Sequence, residues 1–272
     1  MLVATPIGNL GDLSPRALAA LRDADAVLCE DSRVTGGLLS RQGVAATMIP
    51  LHDHNEAAQA PRAGERFALV SDAGTPLVSD PGYRLVRAAI EAGVMVSAIP
   101  GPNAAVMALS LSGLPPHPFL FLGFLPAKAG PRAAEVGRLR QVERAGLSAT
   151  LVFYEAPHRL AEALAALAEG LGADRPAAVA RELTKRFEEV RRGALGDLAA
   201  HYATAEARGE ICIVVGPAPL EEAGEGELDA ALRAAFAAGL SLRDAAASVA
   251  EATGLKRRDV YRRALELGGE AG

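Results

Sequence analysis

The chain has 272 residues, half of them apolar, which supports a sizeable hydrophobic core and excludes global disorder. Its 28 basic and 33 acidic residues give a formal net charge of −5, which excludes a uniformly basic nucleic-acid binder but allows a local basic patch. An aromatic content of 4% without tryptophan argues against an extended aromatic platform for stacking bases. Two isolated cysteines and no leader-like segment after Met1 favour a cytoplasmic protein, and the short, interrupted apolar runs predict no membrane span.

In the first half, short apolar runs alternate with amphipathic stretches, which is typical of an α/β domain with a mostly parallel sheet. Predicted strands are Leu2–Ala4, Ala24–Cys29, Met48–Leu51, Phe67–Ser71 and Val94–Ile99. Helices are predicted at 15–22, with Ser14 as N-cap, at Arg33–Arg41 and Tyr83–Ala92, and from the Pro100-Gly101-Pro102 turn to Leu111. The Gly113–Pro118 stretch is rich in proline and ends a predicted first domain, residues 1–113.

The second half predicts a mixed sheet, because two adjacent strands are close enough in sequence to form a hairpin. Its strands are predicted at Phe119–Phe124, Thr150–Tyr154, Ala177–Arg181, Phe187–Arg192 and Ile211–Val215. Its helices are predicted at Ala133–Arg144, His158–Leu171 and Leu195–Thr204. These elements form a predicted second α/β domain, residues 114–218.

The tail, residues 224–272, follows an acidic linker and reads as three short helices that resemble a helix-turn-helix. They are predicted at Asp229–Ala238, at Leu242–Thr253 between a Ser241 cap and Gly254, and at Lys256–Leu267. The last helix carries the cations Lys256, Arg257, Arg258, Arg262 and Arg263. This cluster predicts contacts to an RNA backbone; the alternative is a solvated helix of a small dimerisation or capping domain.

Three Gly/Pro-rich loops follow strands of the first half, and in open α/β sheets ligands bind beyond the carboxyl ends of the strands. The loops are Thr5–Asp12, Ser71–Pro81 and Pro100–Ala104. The GxGxxG and GxxxxGK[ST] fingerprints are absent, and so are HExxH and clustered His/Cys. The sequence therefore predicts a ligand site at this edge that is neither a dinucleotide fold, a P-loop nor a metal centre.

These loops and several later segments carry motifs that together resemble a known family. The motifs are Val3–Asp12, Glu30-Asp31-Ser32-Arg33, His54-Asn55-Glu56, Ser71–Pro76 with Ser79–Gly82, Pro100-Gly101-Pro102, Gly123–Pro126, Phe153–Arg159, Arg181–Lys185 and Gly209-Glu210-Ile211. In this order, over nearly the whole chain, they resemble the bacterial 16S rRNA cytidine 2′-O-methyltransferases of the tetrapyrrole methylase superfamily.

The resemblance implies two α/β domains with S-adenosylmethionine (SAM) in the cleft between them, and no metal. It implies a homodimer that methylates the ribose 2′-hydroxyl of a decoding-centre cytidine in 16S rRNA, within the 30S subunit, with neither DNA nor membrane as partner. The residues expected to hold SAM are Pro6, Gly8, Asp72, Ala73, Gly74, Thr75, Pro76, Ser79, Pro100, Gly101, Asn103, Ala104, Phe153, Tyr154 and Ile211. For Phe153 and Tyr154, ordinary strand core is the alternative.

Methyl transfer from a sulfonium requires a positioned nucleophile and a group that manages its proton. The residues expected on the acceptor side are Glu30, Asp31, Arg33, Glu182 and Lys185. The alternatives are an acid pair at a helix N-terminus for Glu30-Asp31 and a solvated hairpin charge for Lys185. Arg33 and Arg159 are expected to bind phosphate.

Two other functions stay open from sequence. One is a methylase of a tetrapyrrole with the same fold, against which the tail and the Glu30–Arg33 and His54–Glu56 motifs argue. The other is a non-enzymatic RNA-binding factor of ribosome assembly, which would have no need of three ligand-type loops.

Overall fold

The computed structural model describes residues 1–52, 65–219, 225–253 and 255–269. Its contacts divide the chain into two compact units, Met1–Pro217 and Ala218–Gly272. The first unit contains two five-stranded sheets, and the described part of the second is helical. The His54-Asn55-Glu56 motif and Gly254 lie outside the described residues.

The first sheet is entirely parallel, as the alternation of strands and helices predicts. Its strands are β1 (Leu2–Val3), β2 (Ala26–Cys29), β3 (Met48–Pro50), β4 (Phe67–Val70) and β5 (Ala98–Ile99), in the order β3-β2-β4-β1-β5. Leu2 is in register with Leu69 on one side and with Ala98 on the other. Of the strand predicted from Val94, only its last two residues pair with β1.

Three helices connect these strands: α1 (Pro15–Asp23), α2 (Ser32–Arg41) and α3 (Tyr83–Glu91). The predicted cap of α1 is confirmed, because the Ser14 side chain accepts a hydrogen bond from the Ala17 N–H. This helix buries Ala17 and Leu21 against the sheet residues Val3 and Val27. Because the helices pack on the faces of the sheet, the edge at the carboxyl ends of the strands is formed by loops.

The second sheet is mixed, which confirms the prediction from the adjacent strands. Its strands are β6 (Phe119–Phe124), β7 (Thr150–Glu155), β8 (Pro176–Arg181), β9 (Glu189–Ala194) and β10 (Ile211–Val215), in the order β6-β7-β10-β8-β9. β6 and β7 are parallel, and the other neighbours are antiparallel. Strand β9 begins two residues later than predicted, because Phe187 and Glu188 belong to the turn before it.

Helices pack on both faces of this sheet. On one face α5 (Ala129–Arg144), α6 (Leu160–Leu171) and α7 (Leu195–Thr204) enclose a core that includes Phe153. On the other face α4 (Ala104–Ser112) packs through Ala105, Ala108 and Leu109. Helix α4 falls inside the predicted first domain, yet it packs against the second sheet. The contacts draw no boundary within the first unit, so the division at residues 113/114 stays a prediction.

The second unit has α8 (Glu225–Ala237), α9 (Leu242–Thr253) and α10 (Arg257–Gly269). Leu232, Val260 and Ala264 form the fully buried centre of its own core. Ser241 caps α9 by accepting a hydrogen bond from the Asp244 N–H at 3.2 Å, as predicted. Within the described ranges, no helix combines the length and the hydropathy that a membrane span requires.

Candidate active site

The three glycine-rich loops of the first half are hydrogen-bonded to one another at the carboxyl edge of the parallel sheet. The backbone N–H of Thr5 donates to Gly74 O at 2.9 Å, and Gly74 N–H donates back to Thr5 O at 3.2 Å. The Thr5 hydroxyl also donates to Ser71 O at 3.0 Å. Thr75 Oγ1 donates to Pro102 O at 3.0 Å, which joins the second loop to the third. The predicted meeting of these loops is therefore confirmed.

Two glycines allow this close approach. Gly74 has φ +84°, a left-handed conformation that favours glycine. At Gly101 an added Cβ would lie 2.8 Å from the Ala4 Cβ, which is closer than two non-bonded carbon atoms approach in proteins. The loops therefore need these glycines for reasons of backbone geometry.

A cavity of about 380 Å³ opens beside these loops, between them and the second sheet. This volume lies in the range of pockets that hold small ligands. The loops of the first sheet contribute Ile7, Asp72, Ala73, Gly74, Thr75, Val78, Ser79, Asp80, Asn103 and Ala104. The second sheet and its connections contribute Phe124, Tyr154, Glu155, Ala156, Pro157, Leu183, Gly209, Glu210, Ile211 and Cys212.

The charged residues that line the cavity are all acidic: Asp72, Asp80, Glu155 and Glu210. Burial raises the pKa of Asp80, the hydrogen bond from the Ser71 hydroxyl opposes this, and the Asp72 charge adds to it. Among the described residues, neither Asp72 nor Asp80 has an ion-pair partner within 4.0 Å. The cavity is therefore suited electrostatically to a ligand that carries positive charge.

An aromatic group forms the wall on the side of the second sheet. The Tyr154 ring meets Phe121 edge-on at 4.8 Å and Phe124 at 5.8 Å between centroids. Burial raises the pKa of Tyr154 to about 12, so its phenol is neutral at physiological pH. Phe153 points to the opposite face of β7 and is 1% exposed in the core, so its ring takes no part in the cavity.

The residues expected to hold SAM thus separate into two groups. The residues that line the cavity are Asp72, Ala73, Gly74, Thr75, Ser79, Asn103, Ala104, Tyr154 and Ile211. The residues that do not line it are Pro6, Gly8, Pro76, Pro100, Gly101 and Phe153. Asn103 also caps α4, because its side-chain oxygen accepts a hydrogen bond from the Val106 N–H at 3.1 Å.

Asp31 lies at the junction between α2 and the Ser71 loop. It caps α2 by accepting the Arg33 N–H at 2.8 Å, and its own N–H donates to Asp72 Oδ1 at 3.2 Å. Hydrogen bonds from Arg33 lower the pKa of Asp31 to about 2. Asp31 therefore has the helix N-terminal position that the sequence allowed. Its hydrogen bond to Asp72 also joins it directly to a residue of the cavity lining. Glu30 precedes it on the exposed surface.

Lys185 lies between two carboxylates in the turn after β8. Its Nζ is 2.8 Å from Glu182 Oε1 and 3.1 Å from Glu210 Oε2. Burial works to lower the pKa of Lys185, but the two carboxylates outweigh it and the pKa is raised. The lysine is therefore held as an ammonium ion, not tuned towards a base. Its side chain also packs against Gly8, where a Cβ would overlap it.

Two of the predicted phosphate ligands have internal partners in the structure, and their role in binding RNA stays a prediction. Arg159 is 3.3 Å from the fully buried Glu155 and also donates to Leu125 O. Arg263 forms a two-point ion pair with Asp229, at 2.6 and 2.7 Å, and contacts Glu266. The other predicted RNA ligands of the tail are exposed, and two of them also contact Asp259: Lys256, Arg257, Arg258 and Arg262.

Three acidic residues of the cavity lining were not predicted as site residues from the sequence: Asp80, Glu155 and Glu210. A signal for them existed, because all three lie inside or beside motifs that carried the family resemblance. Asp80 follows Ser79, Glu155 ends β7, and Glu210 precedes β10. Glu155 and Glu210 lie at strand ends and Asp80 lies in the loop after β4, and these positions point to the cavity once the strand order is known.

The fold and the cavity define the class of a tetrapyrrole methylase, and the family model "Tetrapyrrole (Corrin/Porphyrin) Methylases" matches residues 1–199. A second model, "RsmI C-terminal HTH domain", matches residues 222–268. Among solved structures, uroporphyrin-III-C-methyltransferase from Thermus thermophilus is similar with a TM-score of 0.53 and 24% identity, covering 79% of this chain and 92% of its own. Diphthine synthase is similar with a TM-score of 0.59 and 16% identity, covering 79% and 89%. These two likenesses establish the fold alone.

Relatives with higher sequence identity than these two structures identify the family within this class. "Ribosomal RNA small subunit methyltransferase I" from Mesorhizobium japonicum is 48% identical over 98% of this chain and 91% of its own length. The protein of the same name from Synechocystis is 43% identical over 98% and 97%. The chain belongs to the ribosomal RNA small subunit methyltransferase I family. This confirms the family resemblance and the predicted enzyme class, a methyltransferase.

Proposed function

We propose that this enzyme transfers a methyl group from SAM to the ribose 2′-hydroxyl of a cytidine in the decoding centre of 16S rRNA. It acts as a cytoplasmic homodimer on the 30S subunit. The observation that carries the proposal is the acidic cavity at the joined loops, together with the ion-paired Lys185 beside it. The family supports rRNA as the substrate class, and the proposal adds the atom that is methylated.

The cavity residues fit SAM on chemical grounds. SAM combines an apolar adenine ring, a positively charged sulfonium and an amino acid end. Tyr154 and Phe124 offer an apolar wall, and Asp72 and Asp80 offer negative charge without an ion-pair partner among the described residues. The closely joined loops around Gly74 bring backbone groups next to the cavity. When bound there, SAM supplies an electrophilic methyl group.

On the acceptor side, the residues of this chain position the ribose and stabilise the negative charge that develops on its 2′-oxygen as the hydroxyl proton passes to water. Lys185 holds a proton at Nζ and, as an ammonium ion, stabilises negative charge that develops on the acceptor oxygen. Glu182 and Glu210 fix the position of Nζ. Asp31 and Arg33, joined at 2.6 Å, form an exposed pair next to the Asp72 loop that orients the incoming RNA. Glu30 directly precedes this pair in the chain and is exposed, so it belongs to the same proposed acceptor surface.

The tetrapyrrole methylase alternative shares the fold with this proposal but differs in its acceptor. The helical second unit, with four exposed cations on or beside α10, favours RNA as the acceptor. A non-enzymatic assembly factor would not need the cavity or the ion-paired lysine beside it, which argues against the second alternative.

The proposal is tested by following tritium from methyl-labelled SAM into three acceptors: 30S particles, free 16S rRNA and a tetrapyrrole. We expect transfer to the RNA acceptors, with 30S particles preferred. Transfer to the tetrapyrrole alone would replace the proposed function with the first alternative. SAM calorimetry with no heat of binding would favour the second.

A further inference from the structure

The turn between β8 and β9 places an exposed aromatic ring beside an exposed guanidinium group. Phe187 is 67% exposed, and the Arg186 guanidinium carbon lies 5.7 Å from the centre of its ring. Phe187 is the most exposed of the seven phenylalanines, ahead of Phe124 at 53% and Phe119 at 43%. Exposing the ring is unfavourable in water, and a binding partner that covered it would recover this free energy.

The backbone of this turn is well ordered by its own hydrogen bonds. Lys185 N–H donates to Glu182 O at 3.0 Å, and Glu188 N–H donates to Lys185 O at 3.2 Å. The Glu188 carboxylate accepts the Thr184 N–H at 2.7 Å. A ring presented on an ordered turn loses little conformational freedom when it binds a partner.

The turn lies next to the proposed methyl-transfer site. Lys185 precedes Arg186 directly, and its Nζ is 3.1 Å from the carboxylate of Glu210, which lines the cavity. Any partner that covers Phe187 is therefore close to the acceptor side of that site.

The local charge favours an anionic partner. Five cations and three carboxylates lie between Arg181 and Arg192, in a chain whose net charge is −5. Most of these cations have protein partners: Arg181 and Arg191 contact Glu189, and Arg192 donates to Ser112 O at 3.1 Å. Arg186 is exposed and has no ion-pair partner within the part of the chain that the structure describes.

We propose that Phe187 and Arg186 bind an unpaired nucleotide of the RNA substrate, with the base on the Phe187 ring and the phosphate paired to Arg186. This inference rests on the proposed function. Aromatic rings stack on unpaired bases of any sequence, and arginine pairs with phosphate. A second copy of this chain would also cover the ring, but the position of the turn beside the proposed acceptor side favours the RNA substrate. The single ring acts as one stacking contact and not as an extended platform.

The full-length enzyme is assayed with 30S particles that lack the methyl group, with single-stranded oligocytidine, and with the same oligomer in an RNA duplex. Variants are Phe187→Ala, Phe187→Leu, Phe187→Trp and Arg186→Ala. The matched control is Tyr83→Ala, since Tyr83 is 65% exposed and lies on α3.

We expect Phe187→Ala to raise the Kd for oligocytidine and the KM for 30S particles by about tenfold, with the Kd for SAM unchanged. Phe187→Trp should restore binding, and Phe187→Leu should not, because stacking needs an aromatic ring. Arg186→Ala should weaken binding of the single strand, and its effect should decrease at high salt. Duplex binding should be insensitive to Phe187.

If the wild type methylates 30S particles and Phe187→Ala binds RNA equally well, this inference is overturned while the proposed function stands. A change of Phe187→Ala to a smaller species in sedimentation, with RNA binding intact, would assign the ring to a contact between subunits. Absence of methyl transfer by the wild type would overturn both proposals.

Discussion

At the residue scale, the ammonium group of Lys185 lies between the carboxylates of Glu182 and Glu210 and beside the cavity. Its raised pKa keeps it protonated, which agrees with the charge-stabilising role proposed for it. Asp31 carries the opposite charge, because its lowered pKa keeps the carboxylate ionised. Neither residue lines the cavity itself, and the proposed function places both on the acceptor side.

Lys185→Ala and Asp31→Ala should each reduce methyl transfer by about a hundredfold or more while keeping SAM affinity. Both variants lose a side chain that the proposed function places on the acceptor side. SAM affinity should persist because both residues lie outside the cavity lining, and because the Asp31 backbone N–H that donates to Asp72 is kept in alanine. Single-turnover transfer and SAM calorimetry measure the two quantities separately. Full turnover in either variant would remove that residue from the mechanism.

Lys185→Met should make protein stability depend less on pH. In the folded protein the Glu182 pKa is lowered from 4.5, so this carboxylate contributes stability above pH 4.5 that is lost as the pH falls through the folded pKa. The Lys185 pKa is raised from 10.5, so its contribution is present below pH 10.5 and is lost as the pH rises through the folded pKa.

The free-energy advantage of wild type over Lys185→Met, from urea unfolding, should therefore be greatest between about pH 4.5 and 10.5. It should shrink outside that window. Lys128→Met is the control, because Lys128 is exposed and has no ion pair within the described ranges. An advantage that does not change with pH would contradict the assigned ion pairs.

Asp80→Asn should reduce the preference of the enzyme for SAM over its demethylated product. The product lacks the sulfonium charge, and the substitution removes one of the carboxylates that face the cavity. One partly buried charge pair contributes about 1 kcal/mol, so the ratio of the two Kd values should fall by about fivefold. Calorimetry with both ligands measures this ratio, with the exposed Glu206→Gln as control. An unchanged ratio would show that Asp80 does not sense the sulfonium.

At the element scale, the parallel order of the first sheet brings three loops to one edge, and two glycines let them touch. Gly101→Ala would place a Cβ 2.8 Å from Ala4 Cβ, so the loops must separate. We expect a loss of about 1–3 kcal/mol in unfolding free energy and weaker SAM binding.

Gly37→Ala is the matched control, because it lies in α2 with nothing within 4 Å of an added Cβ. It should stabilise the protein by about 0.5–1 kcal/mol through helix propensity. Equal effects of the two substitutions, measured by urea unfolding, would contradict the tight loop contact.

Much of the architecture follows from local sequence signals. The cap at Ser14, the hairpin after β8 and the strands of both sheets were predictable, because caps, turns and apolar periodicity are properties of short segments. The packing of α4 on the second sheet was not, because an apolar helix face does not specify its partner. The internal partners of Arg159 and Arg263 were not predictable for a similar reason. For Arg263 the partner, Asp229, is distant in sequence, and the burial of Glu155, four residues before Arg159, is visible only in the fold.

At the scale of the whole molecule, the proposals assign two groups of exposed cations on an acidic chain to RNA, among the exposed cations that the described residues carry elsewhere. One is the turn with Arg186, and the other is the start of α10 with Lys256, Arg257, Arg258 and Arg262. Local patches of this kind allow binding without non-specific coating of RNA.

Replacing the four exposed cations at the start of α10 by glutamine should weaken RNA binding and leave SAM binding unchanged. Each lost phosphate contact should reduce the slope of log K against log salt by about 0.7–0.9. Filter binding across a salt series measures this slope. The control neutralises four exposed arginines of the first unit, which are Arg16, Arg22, Arg138 and Arg144. Equal losses in the two variants would show a non-specific charge effect.

The central claim is that the methyl group is delivered to one ribose 2′-oxygen. The direct measurement uses SAM with a deuterated methyl group and 30S particles that lack the modification, followed by nuclease digestion and mass spectrometry of 16S rRNA fragments. We expect one labelled methyl group per particle, on the ribose of a cytidine in the decoding-centre fragment. Label on a base, or spread over many nucleotides, would contradict the account.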